Sequence, residues 1–159
     1  VPFRLSKKSL DKLDGVHPKL VELCIEVIGA SDIDFGIVQG VRTKAHQEAL
    51  YAQGRKALNE TNYLRKKAGL GPITAAENDY KVTWTLESNH IPRNGHGMAI
   101  DFGVYVDGKY VNGDTPEEQA LYYPVAETFK SIAKKMGIKI EAGADWTKPD
   151  IGHIELKSV

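Results

Sequence analysis

Met98-Ala99-Ile100-Asp101-Phe102-Gly103-Val104-Tyr105-Val106-Asp107-Gly108-Lys109-Tyr110-Val111 is the stretch that decides the fold. Residues 98–106 are strand-like, and valines and tyrosines flank Asp107-Gly108. That dipeptide suits the two positive-φ positions of a type I′ turn, so residues 104–111 read as a β-hairpin. Upstream of it, helical patterns dominate. Leu20, Leu23, Cys24, Val27 and Ile28 recur at helical spacing between Pro18 and Gly29, which predicts a helix over 16–28. Phe35-Gly36-Ile37-Val38 reads as a strand, after which Thr43 caps a helix over 44–53 that Gly54 closes. A shorter helix is expected at 62–68, and Thr74-Ala75-Ala76-Glu77 has the form of a capping box. Residues 55–82 are polar and weakly periodic, a surface excursion; Val82-Thr83-Trp84-Thr85 reads as a strand and 88–97 as a loop. Downstream, Thr115-Pro116-Glu117-Glu118 opens a helix that Pro124 is expected to divide. Val125, Phe129, Ile132, Ala133 and Met136 then form one apolar face, closed by Gly137, and 138–142 and 152–156 read as short strands. Helices early and strands late predict the α+β class: one domain over 1–159, with a small antiparallel sheet packed against helices.

The 159 residues are 42% hydrophobic and 26% charged, enough for one self-sufficient core and unlike a disordered or collagenous chain. Lys+Arg and Asp+Glu are 21 each, so no basic excess draws the chain to nucleic acid or anionic lipid. No apolar run approaches the about 18 residues that argue for a membrane span, and the first residues lack the apolar centre of a signal peptide. A single cysteine, Cys24, excludes an internal disulfide and a Cys-based zinc finger. It sits in an apolar helical stripe, where a small buried hydrophobe is the expected role. Any metal site therefore has to use histidine and carboxylate.

Of five histidines, His17 precedes a helix-starting proline and His46 lies in a polar helix, positions that suit solvated bystanders. His153 is different. In a strand, His153 and Glu155 face one way while Ile154 and Leu156 face the other. One side joins the core, and the other offers an imidazole and a carboxylate, with Asp150 just before the strand. Asp101 lies between Ile100 and Phe102, where an unpaired carboxylate is costly to bury and a cation serves as partner. His90 follows the expected strand at 82–85. Two histidines and one carboxylate are a usual set for catalytic zinc, leaving the fourth tetrahedral position to water. Zinc lowers the pKa of that water to about 7 and polarises a carbonyl. A further carboxylate has to move the proton, and Asp150 is available. On spacing alone, with the ligands so dispersed, ordinary polar residues of loops and strands are the favoured reading.

Ser88-x-His90, Gly97-x-Ala99-x-Asp101 and Asp150-x-x-His153 together resemble the signature of zinc D-Ala-D-Ala carboxypeptidases and L-alanyl-D-glutamate endopeptidases, above all phage endolysins. Gln39-Gly40-Val41-Arg42-Thr43 with Gln47 and Gly54-Arg55, and Gly143-Ala144-Asp145-Trp146, look like further pieces of the same family; the resemblance runs over 35–156. It implies His90, Asp101 and His153 as zinc ligands and Asp150 as the general base. It implies Arg42 as a catalytic and substrate-binding residue, with a guanidinium fork suited to a carboxylate-bearing peptide. Gln47 and Trp146 are expected on the substrate side, Trp146 as a cleft wall or else a core residue, and Ser88 as a brace of the metal loop. One departure stands out. The family's usual motif has two residues between its histidine and its glycine, whereas six separate His90 from Gly97. His96 then competes for the ligand position, but His90 keeps the Ser-x-His pattern and His96 sits between two glycines. The added loop is alternatively a cover for the cleft.

These expectations combine into a monomeric zinc metallopeptidase that hydrolyses the L-Ala–D-Glu bond of bacterial peptidoglycan, with no nucleic-acid partner and no membrane insertion. No stretch is left for a separate wall-binding domain, which suits a thin, accessible wall. Without a signal peptide, a phage lysis enzyme made in the host cytoplasm and released to the periplasm through a separate pore is the expected setting. Two rivals remain at this stage. One is a D-Ala-D-Ala carboxypeptidase or dipeptidase using the same metal, the other a non-catalytic zinc-binding module.

Overall fold

β2 (Ala99–Val106) is the central strand of one antiparallel sheet. Its first edge pairs with β1 (Asp34–Gln39), from Asp34 opposite Tyr105 to Gln39 opposite Asp101. Its second edge is shared. β5 (His153–Leu156) takes residues 99–101 and β3 (Lys109–Val111) takes 104–106, while β4 (Ile140–Ala142) adds outside β5. The hairpin between β2 and β3 turns at Asp107 and Gly108 with φ of 51° and 77°, as a type I′ turn requires. The computed structural model describes residues 2–92 and 94–157.

One face of the sheet carries the core. Phe35, Ile37, Ile100, Phe102, Val104 and Ile154 meet α2 (Pro18–Ala30) and α5 (Pro116–Met136). Phe102 stacks on Phe129 of α5 with ring centroids 5.6 Å apart. Cys24 is fully buried there, and burial pushes its thiol up to about 12, so it is inert. α3 (Lys44–Ala52) and α4 (Leu58–Lys67) pack together beside the sheet, and Thr43 caps α3 by accepting from His46 N. The α+β class and the antiparallel sheet are as expected.

The structure differs from the expectation in four elements. Helix 62–68 starts earlier, at Leu58, and helix 16–28 is displaced to Pro18–Ala30, passing through Gly29, where a Cβ would meet nothing within 4 Å. Pro124 does not divide its helix. α5 is continuous over 21 residues, because Tyr122, Val125, Ala126 and Phe129 on both sides of the proline are buried on the same core. Residues 82–85 are not a strand, since they pair with no sheet edge. The capping box forms reciprocally between Thr74 and Glu77, but it opens only one 3-10 turn, Glu77–Asp79.

A six-residue helix, α1 (Lys7–Lys12), was not legible in the sequence. Its Ser9 hydroxyl accepts from Ile37 N of β1 at 2.9 Å. The same helix meets Gly40, just past β1, so closely that a Cβ there would lie 1.9 Å from Lys12 O. Gly40→Ala is therefore expected to cost about 1–3 kcal/mol, the usual toll of overpacking. Urea denaturation checks this, and a wild-type midpoint would show that α1 yields freely.

Candidate metal centre

Antiparallel register sets Asp101 of β2 directly opposite His153 of β5, on the face away from Ile100 and Ile154. His90 reaches the same point from a loop tied down by backbone bonds. Its carbonyl accepts from Arg42 N at 2.8 Å, and the carbonyl of Asn89 accepts from Met98 N at 2.7 Å. Ser88 Oγ accepts from His90 N at 3.1 Å, the bracing contact expected of it.

The outer nitrogen of each imidazole has a partner. His90 Nδ1 lies 2.8 Å from the carbonyl of Gly40, which can only accept, so Nδ1 carries a proton and Nε2 is the nitrogen turned inward to Asp101. His153 Nε2 lies 2.8 Å from Glu155 Oε1, and Asn89 Nδ2 donates to the other oxygen of that carboxylate at 2.8 Å. The inner nitrogens converge on one carboxylate, His90 Nε2 at 3.2 Å from Asp101 Oδ2 and His153 Nδ1 at 3.1 Å from Asp101 Oδ1. One ligand atom from each of the three residues lies within 4.8 Å of the other two. Two imidazoles oriented from behind and one carboxylate fit a metal ion such as zinc.

The electrostatics point the same way. Burial works against ionisation of Asp101, but hydrogen bonds to His153 and His90 hold its carboxyl far below the usual range. Burial likewise lowers His153, yet hydrogen bonds to Asp101 and Glu155 push it up to about 9. The bond to His153 holds Glu155 low. Asp101 and Glu155, with Asp150 at 3.9 Å, thus crowd one imidazole, an arrangement that calls for positive charge.

Asp150 lines the cleft beside this cluster, its Oδ2 3.9 Å from His153 Nδ1. Burial and the charge of Asp101 both raise its carboxyl above the ordinary range. Asp150 N donates to Gly143 O at 3.0 Å, and a Cβ on Gly143 would come within 2.3 Å of Asp150 O. Only glycine lets the two segments approach so closely. Arg42 Nη1 donates to Gln47 Oε1 at 2.7 Å, while its buried Nε has no partner among the described residues. Trp146 walls the cleft, with its ring centroid 4.9 Å from that of His153 and Nε1 donating to Glu141.

Gln47 requires a correction. Expected on the substrate side, it is fully buried, and its amide donates inward to Thr83 Oγ1 at 3.2 Å and Thr85 O at 2.7 Å. It braces Arg42 and the rim. The histidine chosen by neither Ser-x-His nor the cluster, His96, packs edge-on against His17 with centroids 5.3 Å apart. His17 itself caps α2 by accepting from Lys19 N. The described residues of 91–97 do not line the cleft, and Gly97 is bonded to Gly15 and His17. Gly40 and Asn89 were missed, and no local pattern marks a backbone carbonyl or a lone amide as a support. The cleft as a whole is an open cavity of about 1040 Å³.

The L-alanyl-D-glutamate peptidase of Escherichia phage T5 is 30% identical over 155 residues, covering 98% of this chain and 90% of that protein. The chain belongs to the L-alanyl-D-glutamate peptidase family. The family model described as phage L-alanyl-D-glutamate peptidase matches residues 1–70 of this peptidase. Its fold is that of the Serratia marcescens L-Ala D-Glu endopeptidase ChiX, with a TM-score of 0.67 at 23% identity, covering 98% of this chain and 91% of that one. No helix among the described residues of the peptidase is long and apolar enough to cross a membrane.

Proposed function

We propose that this peptidase hydrolyses the L-Ala–D-Glu bond of the peptidoglycan stem with a zinc ion held by His90, Asp101 and His153, and that it acts as a phage endolysin on the host wall. The observation that carries this reading is the convergence of two oriented imidazoles and one carboxylate in a cleft, in a chain 30% identical to a peptidase of that name. Zinc bound there would acidify a water and polarise the scissile carbonyl.

The remaining work belongs to the chain. Asp150 stands beside the cluster without joining it, placed to take the proton of the attacking water and give it to the leaving amine. Arg42 points into the cleft with one nitrogen fixed by Gln47, so its fork is pre-set for the oxyanion or the substrate carboxylate. Trp146 closes the wall behind His153.

Mass spectrometry of material released from purified sacculi tests the reading. Stem peptides with a new amino-terminal D-Glu are expected. Release of terminal D-Ala instead would make the protein a carboxypeptidase, and bound zinc without any hydrolysis would make it a binding module.

Arg42→Lys keeps the charge and loses the fork. It is expected to lower turnover about tenfold or more with little change in Tm, because the bond to Gln47 is one of several holding the rim. Wild-type kinetics in this variant would remove Arg42 from the chemistry.

A further inference from the structure

Residues 82–86 run along one rim of the cleft, held there by hydrogen bonds to Gln47. The Thr83 hydroxyl and the Thr85 backbone carbonyl accept from Gln47 Nε2, and Thr83 O also accepts from Arg55 Nη1 at 3.0 Å. Val82, Trp84 and Leu86 are thereby turned outward, and they are 55%, 63% and 50% exposed. A fixed strip of large apolar side chains at the mouth of a cleft is the form of an interaction site. Its charge is equally unusual. Lys148 and Lys81 lie 4.3 and 5.5 Å from the Trp84 ring centroid, and Arg55, stacked on Tyr51 at 3.8 Å, lies 5.8 Å from it. None of the three has a carboxylate partner among the described residues. In a chain of zero net charge, this is a local positive surplus around Trp84. Lys148 comes from the stretch that carries Trp146 and Asp150, so the cluster joins both walls of the cleft.

We propose that the Trp84 rim binds the glycan strand of peptidoglycan. The flat indole takes the C–H face of an N-acetylhexosamine ring, and Lys81, Arg55 and Lys148 engage the carboxylates of peptides hanging from the same strand. The inference rests on the reading of the substrate given above and extends it to the sugar. In that substrate only one alanine and one lactyl group lie between the scissile bond and the sugar, a reach of roughly 7–10 Å at about 3.5 Å per residue-length unit. A bond seated beside Asp150 therefore leaves the sugar at the mouth of the cleft, where two exposed aromatics stand, Trp84 at 63% and Tyr123 at 42% exposed, and Trp84 is the one that gathers the cations. The indole supplies a broad apolar surface at little conformational cost, and the lysines are long enough to move aside from it.

The test uses holoenzyme and glycan strands stripped of their peptides by an amidase. These strands have no bond for a peptidase to cut, and each lactyl group carries a carboxylate. Trp84 and Trp146 are the two tryptophans of the chain. Stripped strands are expected to change the intrinsic fluorescence of the wild type but not of Trp84→Ala, and the change should weaken with salt, which screens the cations from the lactyl carboxylates. In kinetics, Trp84→Ala should raise KM for sacculi about tenfold more than it raises KM for the free stem tetrapeptide, the loss of one stacked aromatic contact. An equal rise on both substrates would assign the rim to the peptide and overturn the proposal, as would no rise on sacculi. Holoenzyme that binds stripped strands but cleaves neither substrate would refute the peptidase reading and leave the glycan site standing. Cleavage of both substrates without glycan binding would refute the site alone.

Discussion

Asp150→Asn is expected to lower turnover about 100- to 10,000-fold, the usual contribution of a general base, while bound zinc stays at the wild-type level. The geometry separates the two roles. Asp150 Oδ2 is 3.9 Å from His153 Nδ1, whereas both oxygens of Asp101 lie within 3.2 Å of an imidazole nitrogen. Asparagine is nearly isosteric and leaves the bond from residue 150 N to Gly143 O in place, so the loop keeps its path. What is lost is the ability to accept a proton. Substrate affinity should survive, because Arg42 and the cleft walls are untouched. The wild-type rate should fall toward acid pH as the carboxylate takes its proton, and bound zinc measured over the same range shows whether ligand loss contributes. Metal analysis of Asp150→Asn decides the assignment. If zinc and activity disappear together, Asp150 is a ligand and the base has to be sought elsewhere. Glu155 is then the next carboxylate, although its two oxygens are already engaged by His153 and Asn89.

The parts of this site that local chemistry encodes were legible. His153 and Glu155 share a strand face because the period of a strand is two residues, and they bond to each other as that period implies. Asp101 between Ile100 and Phe102 announced a buried charge in need of a partner, and the sheet supplies His153 across the ladder. Turns and caps were equally readable: Asp107-Gly108, Thr43 and Gly137 each act through neighbours within a few residues. What failed to show is decided at long range. Gln47 sits on a helix that reads as polar, yet its partners Thr83 and Thr85 are 36 and 38 positions away and draw it inside. The alternation of Val82, Trp84 and Leu86 with threonines mimics a strand, but no sheet edge reaches it, and side-chain bonds hold it instead. Helix α1 is too short to show a period, and its Ser9 contact spans 28 positions. Pro124 forbids one backbone bond, and the burial of residues on both sides outweighs that loss.

His90→Ala is expected to abolish stoichiometric zinc binding and hydrolysis together, whereas His96→Ala keeps zinc and most activity. The two residues compete for one position in the sequence because the loop between Ser88 and Asp101 is long, but their surroundings are unlike. His90 is 2% exposed, with Nδ1 committed to Gly40 O and Nε2 turned to Asp101. His96 packs edge-on against His17 and stands apart from the cluster. Removing His90 leaves one imidazole and one carboxylate, too few for a tight tetrahedral site. Elemental analysis of the purified variants reads the outcome directly, and matching Tm values for the metal-free proteins separate loss of a ligand from loss of the fold. Chelation of the wild type gives the same end point without a mutation: activity lost, then restored by added zinc. Zinc binding should also release a proton. In the metal-free protein His153 is pushed up to about 9, so at neutral pH its imidazole is protonated and has to give up that proton before Nδ1 can serve as a ligand. Calorimetric titration of metal-free protein with zinc, in buffers of different ionisation enthalpy, counts the protons released. The affinity should rise with pH until His153 is neutral. If His96→Ala loses its zinc and His90→Ala keeps it, the ligand loop is threaded the other way and the cluster at Asp101 does not hold the metal.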